Sequence, residues 1–471
     1  MQKGDTVMVT NGDQCYSLSV RNAFLEQLQT IRVDYENLMN EQRKMTADGK
    51  RHNKFSCRDS STELPIPLCV RFMVCMKSGD IHQELTESRL FDPTKVPSGS
   101  TYCQTRNKIP LQSLQNLFQW SSNTYYWNTK PAGTLDFTIF GVDGSEISYP
   151  ANEDEPDNYI KTRSAIKARN VIHVNACVDT DRMFIVDVIC QNGHDKDERS
   201  AHYEFIKRKA MRIPNLDQRK FLLFTTDRGY EAWNLPVVAS VYGVSYLCRI
   251  KAEDSNGILS GIKNLLPISR NSFDWNITIT LTRDSSKKGR EGYHYLNPNV
   301  FCEFVTPEKD YTITIRVTKI RISDSITEYL FSNLDKSIYS KECLKKLYFR
   351  RWPCETTFSF LKYPLCLSSP HGSSCEPVLK ELWCRLTMFN IVSTIVYHDS
   401  DIVEKKENTG RKYDYTRDFS SSISDVRVFL LSDEEYDLDQ VIRRQLRPIR
   451  EKKPTERNKN PRKQPCFGHR G

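Results

Sequence analysis

A chain of 471 residues is long enough for more than one domain, each with a buried core. Its hydrophobic (38%) and charged (27%) fractions are those of a globular protein and argue against an intrinsically disordered chain. The net charge of +9 suits a polyanionic partner, although charge alone does not identify nucleic acid. No uncharged apolar run approaches the ~20 residues that span a bilayer, so we predict no membrane partner.

The fifteen cysteines indicate a reducing compartment. They form no C-x-x-C pair, and most lie in apolar runs, as Cys69 and Cys248 do. This pattern favours buried thiols over a disulfide framework or a zinc site. Because the N-terminus has no apolar signal region, we expect a cytoplasmic protein.

Residues 1–125 are predicted to form a helical domain that binds DNA ends. Apolar residues recur at helical intervals over residues 18–45, and a second apolar run covers Pro67–Met76. The segment Val96–Lys108 combines a Ser/Thr cap with small polar and basic residues. It fits a DNA-facing helix and an ordinary capped surface helix equally well.

Residues 126–255 change to a pattern of strands and are predicted as the first part of a catalytic core. The order is strand, hairpin, helix, strand, helix, strand, which is typical of an α/β fold of ribonuclease-H type. The predicted strands are Thr134–Val142, 171–178, 183–190, Phe221–Thr226 and Ser245–Lys251, with a helix near Arg199–Ala210.

The rest of the chain is predicted in three parts. Residues 256–330 form a β-rich insertion, because Asn276–Thr282 and Tyr311–Ile320 alternate apolar and polar residues. Residues 331–400 complete the catalytic core with two helices, Ser340–Lys362 and Leu379–His398. Residues 401–471 form C-terminal helices and a disordered basic tail from Arg443 onward.

One face of the predicted helix Ser340–Lys362 carries an unusual set of side chains. On an uninterrupted helix, Tyr348, Arg351, Glu355 and Lys362 fall within a ~60° stripe. Such a stripe can bind a metal ion through the acid and phosphates through the other three. A solvated face laced with ion pairs would carry the same residue types. Pro353 adds an alternative, in which the helix restarts there and Glu355 lies in its first turn.

Two aspartates follow predicted strands and precede glycines. These are Asp143, followed by Gly144, and Asp227, followed after one residue by Gly229. Functional groups of α/β sheets collect at strand ends, where neighbouring strands bring them together. Each motif taken alone is also an ordinary turn signal.

The order of these three acids and the spaced helix pattern resemble bacterial insertion-sequence transposases with a DDE site, of the insertion sequence family four. The similarity extends from about Val96 to Arg450. Asp143-Gly144-Ser145 and Asp227-Arg228-Gly229-Tyr230 resemble the two aspartate motifs of that family. The family signature Y-x-x-R-x-x-x-E-x-x-x-x-x-x-K is matched at every spacing by Tyr348, Arg351, Glu355 and Lys362.

Smaller features add to the resemblance or depart from it. The tripeptide His173-Val174-Asn175 is also similar to the family. Thr225-Thr226 before the second aspartate and Cys354 before Glu355 are unusual for it, but neither removes a carboxylate.

The resemblance implies cut-and-paste transposition of double-stranded DNA. Asp143, Asp227 and Glu355 would hold two divalent metal ions, Mg²⁺ with Mn²⁺ able to substitute, in an in-line phosphoryl transfer. Water would free a 3′-hydroxyl at each transposon end. That hydroxyl would attack the opposite strand to give a hairpin, and later the target DNA. The resemblance also implies a homodimer in a synaptic complex, in the cytoplasm of a bacterium and close to its nucleoid.

The DNA contacts are predicted from the same resemblance. Tyr348, Arg351 and Lys362 would hold phosphates, with Arg228 and Trp352 beside them. Trp352 or Trp275 could stack on a flipped base, although core packing also explains either tryptophan. Two other functions stay open from the residues: a metal nuclease of the same fold, and a decayed transposase that only binds DNA.

Overall fold

The computed structural model describes residues 15–45, 64–126, 137–161, 167–296, 310–322, 327–398, 403–404 and 412–449. The chain divides into two units. The first unit comprises Met1–Lys130, Ile147–Val171 and Ser359–Gly471, and the second comprises Pro131–Glu146 and Ile172–Phe358.

The helices and strands of the described residues are numbered in chain order. The helices are α1 Tyr16–Met45, α2 Ile66–Cys75, α3 Ile81–Glu87, α4 Gly99–Lys108, α5 Leu111–Tyr125, α6 Glu198–Met211, α7 Leu216–Arg219, α8 Asn234–Tyr242, α9 Ile258–Ile262, α10 Lys341–Phe349, α11 Pro353–Lys362, α12 Cys375–Tyr397, α13 Phe419–Leu431 and α14 Leu438–Arg444. The strands are β1 Thr138–Tyr149, β2 Tyr159–Ile160, β3 Arg169–Asp179, β4 Phe184–Asn192, β5 Leu222–Thr226, β6 Ser245–Ile250, β7 Phe273–Thr282, β8 Tyr293–Tyr295, β9 Asp310–Arg321, β10 Thr327–Ser332, β11 Val403–Glu404, β12 Tyr415–Arg417 and β13 Leu446–Pro448.

Helix α12 forms the core of the first unit. It is buried on all sides from Lys380 to Val396, and α2, α5 and α13 pack against it. A helix that is apolar all round is stable only inside a core. The charged groups along it are paired: Arg106 Nη1 donates to Glu381 Oε1 at 2.8 Å, and Arg385 donates to backbone carbonyls at the end of α2. These bonds offset the cost of burying the charges.

A ten-stranded mixed sheet has the order β2-β3-β1-β5-β6-β10-β9-β7-β8, with β4 also paired to β3. Strands β1, β5 and β6 run parallel to one another, and β3 and β4 form an antiparallel hairpin. Strands β10, β9 and β7 extend the sheet beyond β6 with antiparallel pairing. The expectation of a mixed α/β fold is confirmed, and the strands expected at 276–282 and 311–320 pair with each other.

Strand β1 is longer than the sequence indicated. It continues through Asp143 to Tyr149, whereas a strand end was expected at Val142. The reason is that Ile147 and Tyr149 resume the inward alternation after the half-buried stretch Asp143–Glu146. Asp143 therefore lies within an extended strand rather than in a turn.

The expected helix Ser340–Lys362 is interrupted. Helix α10 ends at Phe349, and α11 begins at Pro353. Proline has no N–H to continue the helix, and its ring clashes with the carbonyl of the residue four positions earlier. The alternative of a restart at Pro353 is therefore correct, and the single ~60° stripe is not present.

Three further findings concern the cysteines, membrane-spanning helices and the C-terminal tail. The cysteines of the described residues are free thiols, and no helix in the described ranges is long and apolar enough to cross a membrane. The expected disordered tail does not begin at Arg443, because Arg443 and Arg444 belong to α14 and Leu446–Pro448 pairs with β12 as β13. The remainder of that tail, from residue 450, lies outside the described residues.

Candidate active site

The parallel strands β1 and β5 carry the two aspartates side by side. The pairing of β1 with β5 extends to Gly141 and Thr225, and an aspartate follows two residues later in each case, Asp143 within β1 and Asp227 immediately after β5. Adjacent strands of a sheet are ~4.8 Å apart. Parallel pairing thus brings together two carboxylates that are far apart in the sequence.

Each aspartate is oriented by the backbone of a following glycine. The N–H of Gly144 donates to Asp143 Oδ1 at 2.9 Å, and the N–H of Gly229 donates to Asp227 Oδ1 at 2.7 Å. Asp227 caps a single 3₁₀ turn, Arg228–Tyr230, which follows β5 directly. The turn signal noticed in the sequence therefore describes Asp227 well, and it does not describe Asp143.

Glu355 reaches the same region from the first turn of α11. The backbone of Gly141 in β1 approaches that turn closely: a Cβ atom on Gly141 would lie 2.8 Å from Cys354 Cβ and 3.5 Å from the Arg351 carbonyl oxygen. Only glycine allows such a contact between strand and helix. The start of α11, and with it Glu355, therefore packs directly against the strand that carries Asp143.

The three acids interact electrostatically. Burial raises the pKa of Asp143 to about 6, and the negative charges of Asp227 and Glu355 add to this rise. The Gly144 N–H and the Arg351 guanidinium act in the opposite direction. Carboxylates that disfavour each other's ionisation form a site that a cation would stabilise.

The donor set fits a hard divalent cation, because such ions prefer carboxylate and water oxygens. The oxygens of Asp143, Asp227 and Glu355 are not all within 4.8 Å of one another. Some of the oxygens around an ion held here would therefore come from water or DNA, as Mg²⁺ commonly requires.

Arg351 and Tyr348 pack beside Glu355. Arg351 Nη2 donates to Glu355 Oε1 at 2.5 Å, and its Cζ atom lies 5.6 Å from the centre of the Tyr348 ring. The Arg351 side chain is only 8% exposed. The Tyr348 hydroxyl is buried without a hydrogen-bond partner among the described residues, and burial raises its pKa to about 12. Arg351 thus holds the carboxylate of Glu355 in place.

The other predicted DNA-binding residues lie in different surroundings. Arg228 is exposed in the turn after Asp227, and Trp352 is 39% exposed immediately before α11. Trp275 on β7 is 43% exposed, so core packing accounts for neither tryptophan. Lys362 is the last residue of α11 and belongs to the first unit.

Two residues near the aspartates carried little or no signal in the sequence. Glu198, the first residue of α6, has its Oε1 atom 3.3 Å from Nε2 of the buried His173 on β3. The approach of the His173 ring lowers the pKa of Glu198. In the sequence, His173 stands out only as part of the tripeptide His173-Val174-Asn175. Glu198 lies 55 residues after Asp143 and 29 residues before Asp227, and no spacing pattern connects it with either.

A buried ion pair supports the interruption between α10 and α11. Arg350 Nε donates to Asp181 Oδ1 at 2.9 Å, and a second guanidinium nitrogen contacts the other oxygen. Asp181 lies in the loop of the β3–β4 hairpin and its side chain is 8% exposed. The pair therefore ties the segment that precedes Glu355 to the sheet.

Comparisons with known proteins identify the family of this chain. The family model described as "Transposase DDE domain" matches residues 129–391. No curated protein matches the chain. Among solved structures, a piggyBac transposase in a cryo-EM synaptic complex with hairpin DNA is similar, with 9% identity and a TM-score of 0.46 over 89% of this chain and 81% of that one. Because the family model covers more than half of the chain, the protein belongs to the transposase DDE domain family and is a DDE-type DNA transposase.

Proposed function

We propose that this transposase moves DNA by cut and paste, with Asp143, Asp227 and Glu355 as its catalytic acids. The observation that carries the proposal is the convergence of β1, the turn after β5 and the first turn of α11, which brings the charges of Asp227 and Glu355 close enough to raise the pKa of the buried Asp143. Three separate elements, β1, β5 and α11, bring these charges together at a cost in stability. Such a cost is expected where the charges serve a reaction.

The order of the strands supports a ribonuclease-H-like fold for this core. Strands β4-β3-β1-β5-β6 are neighbours in that order, with β1, β5 and β6 parallel and β3–β4 an antiparallel hairpin. We further propose that residues 1–125 bind transposon ends, that 126–255 and 331–400 form the catalytic core, and that 256–330 is its β-rich insertion.

The family depends on divalent metal ions, and we propose two Mg²⁺ ions, with Mn²⁺ as a substitute. Bound ions of this kind lower the pKa of water and stabilise a departing oxygen. Asp143, which is buried and interacts with both other acids, would be shared by the two ions, and Asp227 and Glu355 would each hold one. Arg351 keeps the Glu355 carboxylate oriented, and the Gly144 and Gly229 N–H groups do the same for the aspartates.

The reaction we propose has two stages. Water first releases a 3′-hydroxyl at the transposon end. That hydroxyl then attacks the opposite strand to form a hairpin, and after hairpin opening it attacks target DNA. Each attack by a 3′-hydroxyl exchanges one phosphodiester bond for another and releases the 3′-hydroxyl of the strand attacked, whereas the first cut and the hairpin opening are hydrolyses that leave a 3′-hydroxyl and a 5′-phosphate. A homodimer would hold both ends in one synaptic complex, in the bacterial cytoplasm near the nucleoid.

The DNA contacts in this proposal follow from exposure and charge. Arg228 follows Asp227 directly, Trp352 lies three residues before Glu355, and both side chains are exposed to solvent, where DNA can reach them. Tyr348 supplies a buried hydroxyl with no partner among the described side chains, which a phosphate oxygen would satisfy. Arg351 would hold a phosphate with the donors that Glu355 leaves free, and Lys362 would do so as a point charge.

The experiment is cleavage of the inverted repeats that flank the gene, with Mg²⁺ and without it. We expect Asp143→Ala, Asp227→Ala and Glu355→Ala each to abolish cleavage and joining while DNA binding in a gel-shift assay persists. Glu342→Ala, which removes an exposed acid from α10, is the matched control and should cleave normally. An Asp143→Ala protein that still cuts refutes the proposed site. A wild-type protein that binds the ends and never cuts them would favour a decayed transposase.

A further inference from the structure

Helix α6 begins beside both aspartates. Asp197 caps it, accepting hydrogen bonds from Arg199 N at 3.1 Å and Ser200 N at 3.0 Å. Arg199 Nε also donates to the carbonyl oxygen of Gly229, in the turn that follows Asp227. The start of the helix is therefore fixed, and so is the direction of its first side chain, Glu198.

Gly144, the residue after Asp143, leaves the space that Glu198 and His173 occupy. A Cβ atom on Gly144 would lie 2.7 Å from Glu198 Oε1 and 2.6 Å from His173 Nε2, closer than Cβ contacts in proteins are found. The Cβ position of Gly229 places Glu198 near the second aspartate, because that point is 3.0 Å from Asp227 Oδ1 and 3.9 Å from Glu198 Oε2. Glycine at position 144 therefore lets Glu198 approach the two aspartates.

The His173 imidazole holds Glu198 from behind. It is 2% exposed, and its Nε2 atom faces Glu198 Oε1 at 3.3 Å. Neither ring nitrogen makes a well-aligned hydrogen bond within the described part of the chain. A buried imidazole with no better partner than one carboxylate keeps that carboxylate in a single orientation, as outer partners do in metal sites.

A second buried donor points to a ligand at the same place. Tyr230 is 1% exposed, and its hydroxyl has no hydrogen-bond partner among the described residues. Burial and the nearby charges of Glu198, Asp143 and Asp227 all raise its pKa. A neutral phenol that is left without a partner among three acids would be satisfied by a water molecule on a cation there.

We propose that Glu198 is a fourth acid of this active site, held by His173, and that it contributes to binding of the divalent cation beside Asp143 and Asp227. This inference rests on the proposed function, because it assumes that those two aspartates bind the cation. His173 acts through Glu198 and is a positioning residue. The combined charge of four acids would strengthen cation binding before DNA arrives.

The test is a calorimetric titration of the full chain with Mn²⁺ in the absence of DNA, repeated as a Mn²⁺ dependence of end cleavage. We expect Glu198→Gln to weaken Mn²⁺ binding by about tenfold, a typical loss when a partner of a metal site is removed. The cleavage midpoint should move to higher Mn²⁺ by a similar factor. Glu204→Gln is the matched control: it lies on the same helix, pairs with Arg208 and should change neither value.

Three outcomes separate the possibilities. If Asp143→Asn weakens Mn²⁺ binding and Glu198→Gln stays within twofold of wild type, the inference about Glu198 is wrong and the proposed function stands. If Asp143→Asn has no effect on Mn²⁺ binding, the proposed function itself fails. If Glu198→Gln has a lowered melting temperature, Glu198→Asp replaces it, because aspartate keeps the charge on a shorter side chain and should still weaken Mn²⁺ binding. Wild-type Mn²⁺ affinity of Glu198→Asp would also overturn the inference.

Discussion

The contact between β1 and α11 can be tested at Gly141. In Gly141→Ala the added Cβ would lie 2.8 Å from Cys354 Cβ and 2.9 Å from Thr180 Cγ2. Carbon atoms in contact are ordinarily ~3.5–4.0 Å apart, so strand and helix must separate by roughly 1 Å. Thr180 cannot give way easily, because it is buried and its Oγ1 donates to the Ile139 carbonyl at 3.3 Å. The start of α11 must move instead.

Two quantities follow from that displacement. Overpacking of a buried contact costs about 1–3 kcal/mol, which we expect as a loss in the free energy of unfolding measured with urea. Glu355, one of the proposed catalytic acids, moves with the helix, and a misplacement of ~1 Å in a catalytic group can lower the rate about 100-fold. We therefore expect Gly141→Ala to bind DNA ends and to cleave them about 100-fold more slowly.

The control is the same substitution at Gly261, where the new Cβ would meet its nearest neighbour at an ordinary 3.7 Å. Gly261 lies in helix α9, and alanine there should stabilise the protein by about 0.5–1 kcal/mol. Cys354→Gly in the Gly141→Ala background removes the colliding atom and should restore part of the cleavage rate. The close packing of α11 on β1 is refuted if the free energy of unfolding of Gly141→Ala is within 0.5 kcal/mol of the wild-type value and its cleavage rate is within ~3-fold of the wild-type rate.

Two further predictions concern charges near the site. The folded pKa of Asp143 is raised from 3.8 to about 6, so its contribution to stability is complete below pH ~4 and is lost as the pH rises through 6. Asp143→Asn should then raise the free energy of unfolding at pH 8 by at most about 3 kcal/mol and leave it unchanged near pH 4. The measurement is made with a chelator present. An equal effect at both pH values contradicts the raised pKa. Breaking the buried ion pair with Asp181→Asn or with Arg350→Gln should lower the free energy of unfolding by about 3 kcal/mol in each case. A double-mutant cycle should give a coupling energy of at least about 1 kcal/mol. Additive losses would show that the pair does not hold the segment before α11.

Local patterns in the sequence predicted most of the strands but not which strands pair with each other in the sheet. Alternation identified β7 and β9, and the loop at residues 179–182 marked the β3–β4 hairpin, because these signals depend on near neighbours. Strand β1 was cut short at Asp143, because Asp-Gly reads as a turn in the absence of the neighbouring strand. In the structure that stretch remains extended as the second half of β1, beyond its pairing with β5.

The site was recognisable only where its residues are close in sequence or match a known pattern. Arg351 and Glu355 are four residues apart, and their contact survives the interruption of the helix. Glu198 and the Asp181–Arg350 pair gave no comparable signal, because their partners lie tens to more than a hundred residues away. Only the pairing of β1, β3 and β5 brings these groups together, and spacing along the chain does not encode that pairing.

The parallel pairing of β1 with β5 also affects when the protein becomes able to cut DNA during its synthesis. The two strands are joined by a long connection that contains the β3–β4 hairpin and α6, and pairings between distant segments form slowly. Glu355 follows only after β10 and α10 have left the ribosome. A nascent chain that carries both aspartates therefore still lacks the third of the proposed acids. On that assignment, a truncated product that ends before α11 would neither hold the full set of ions nor cleave DNA.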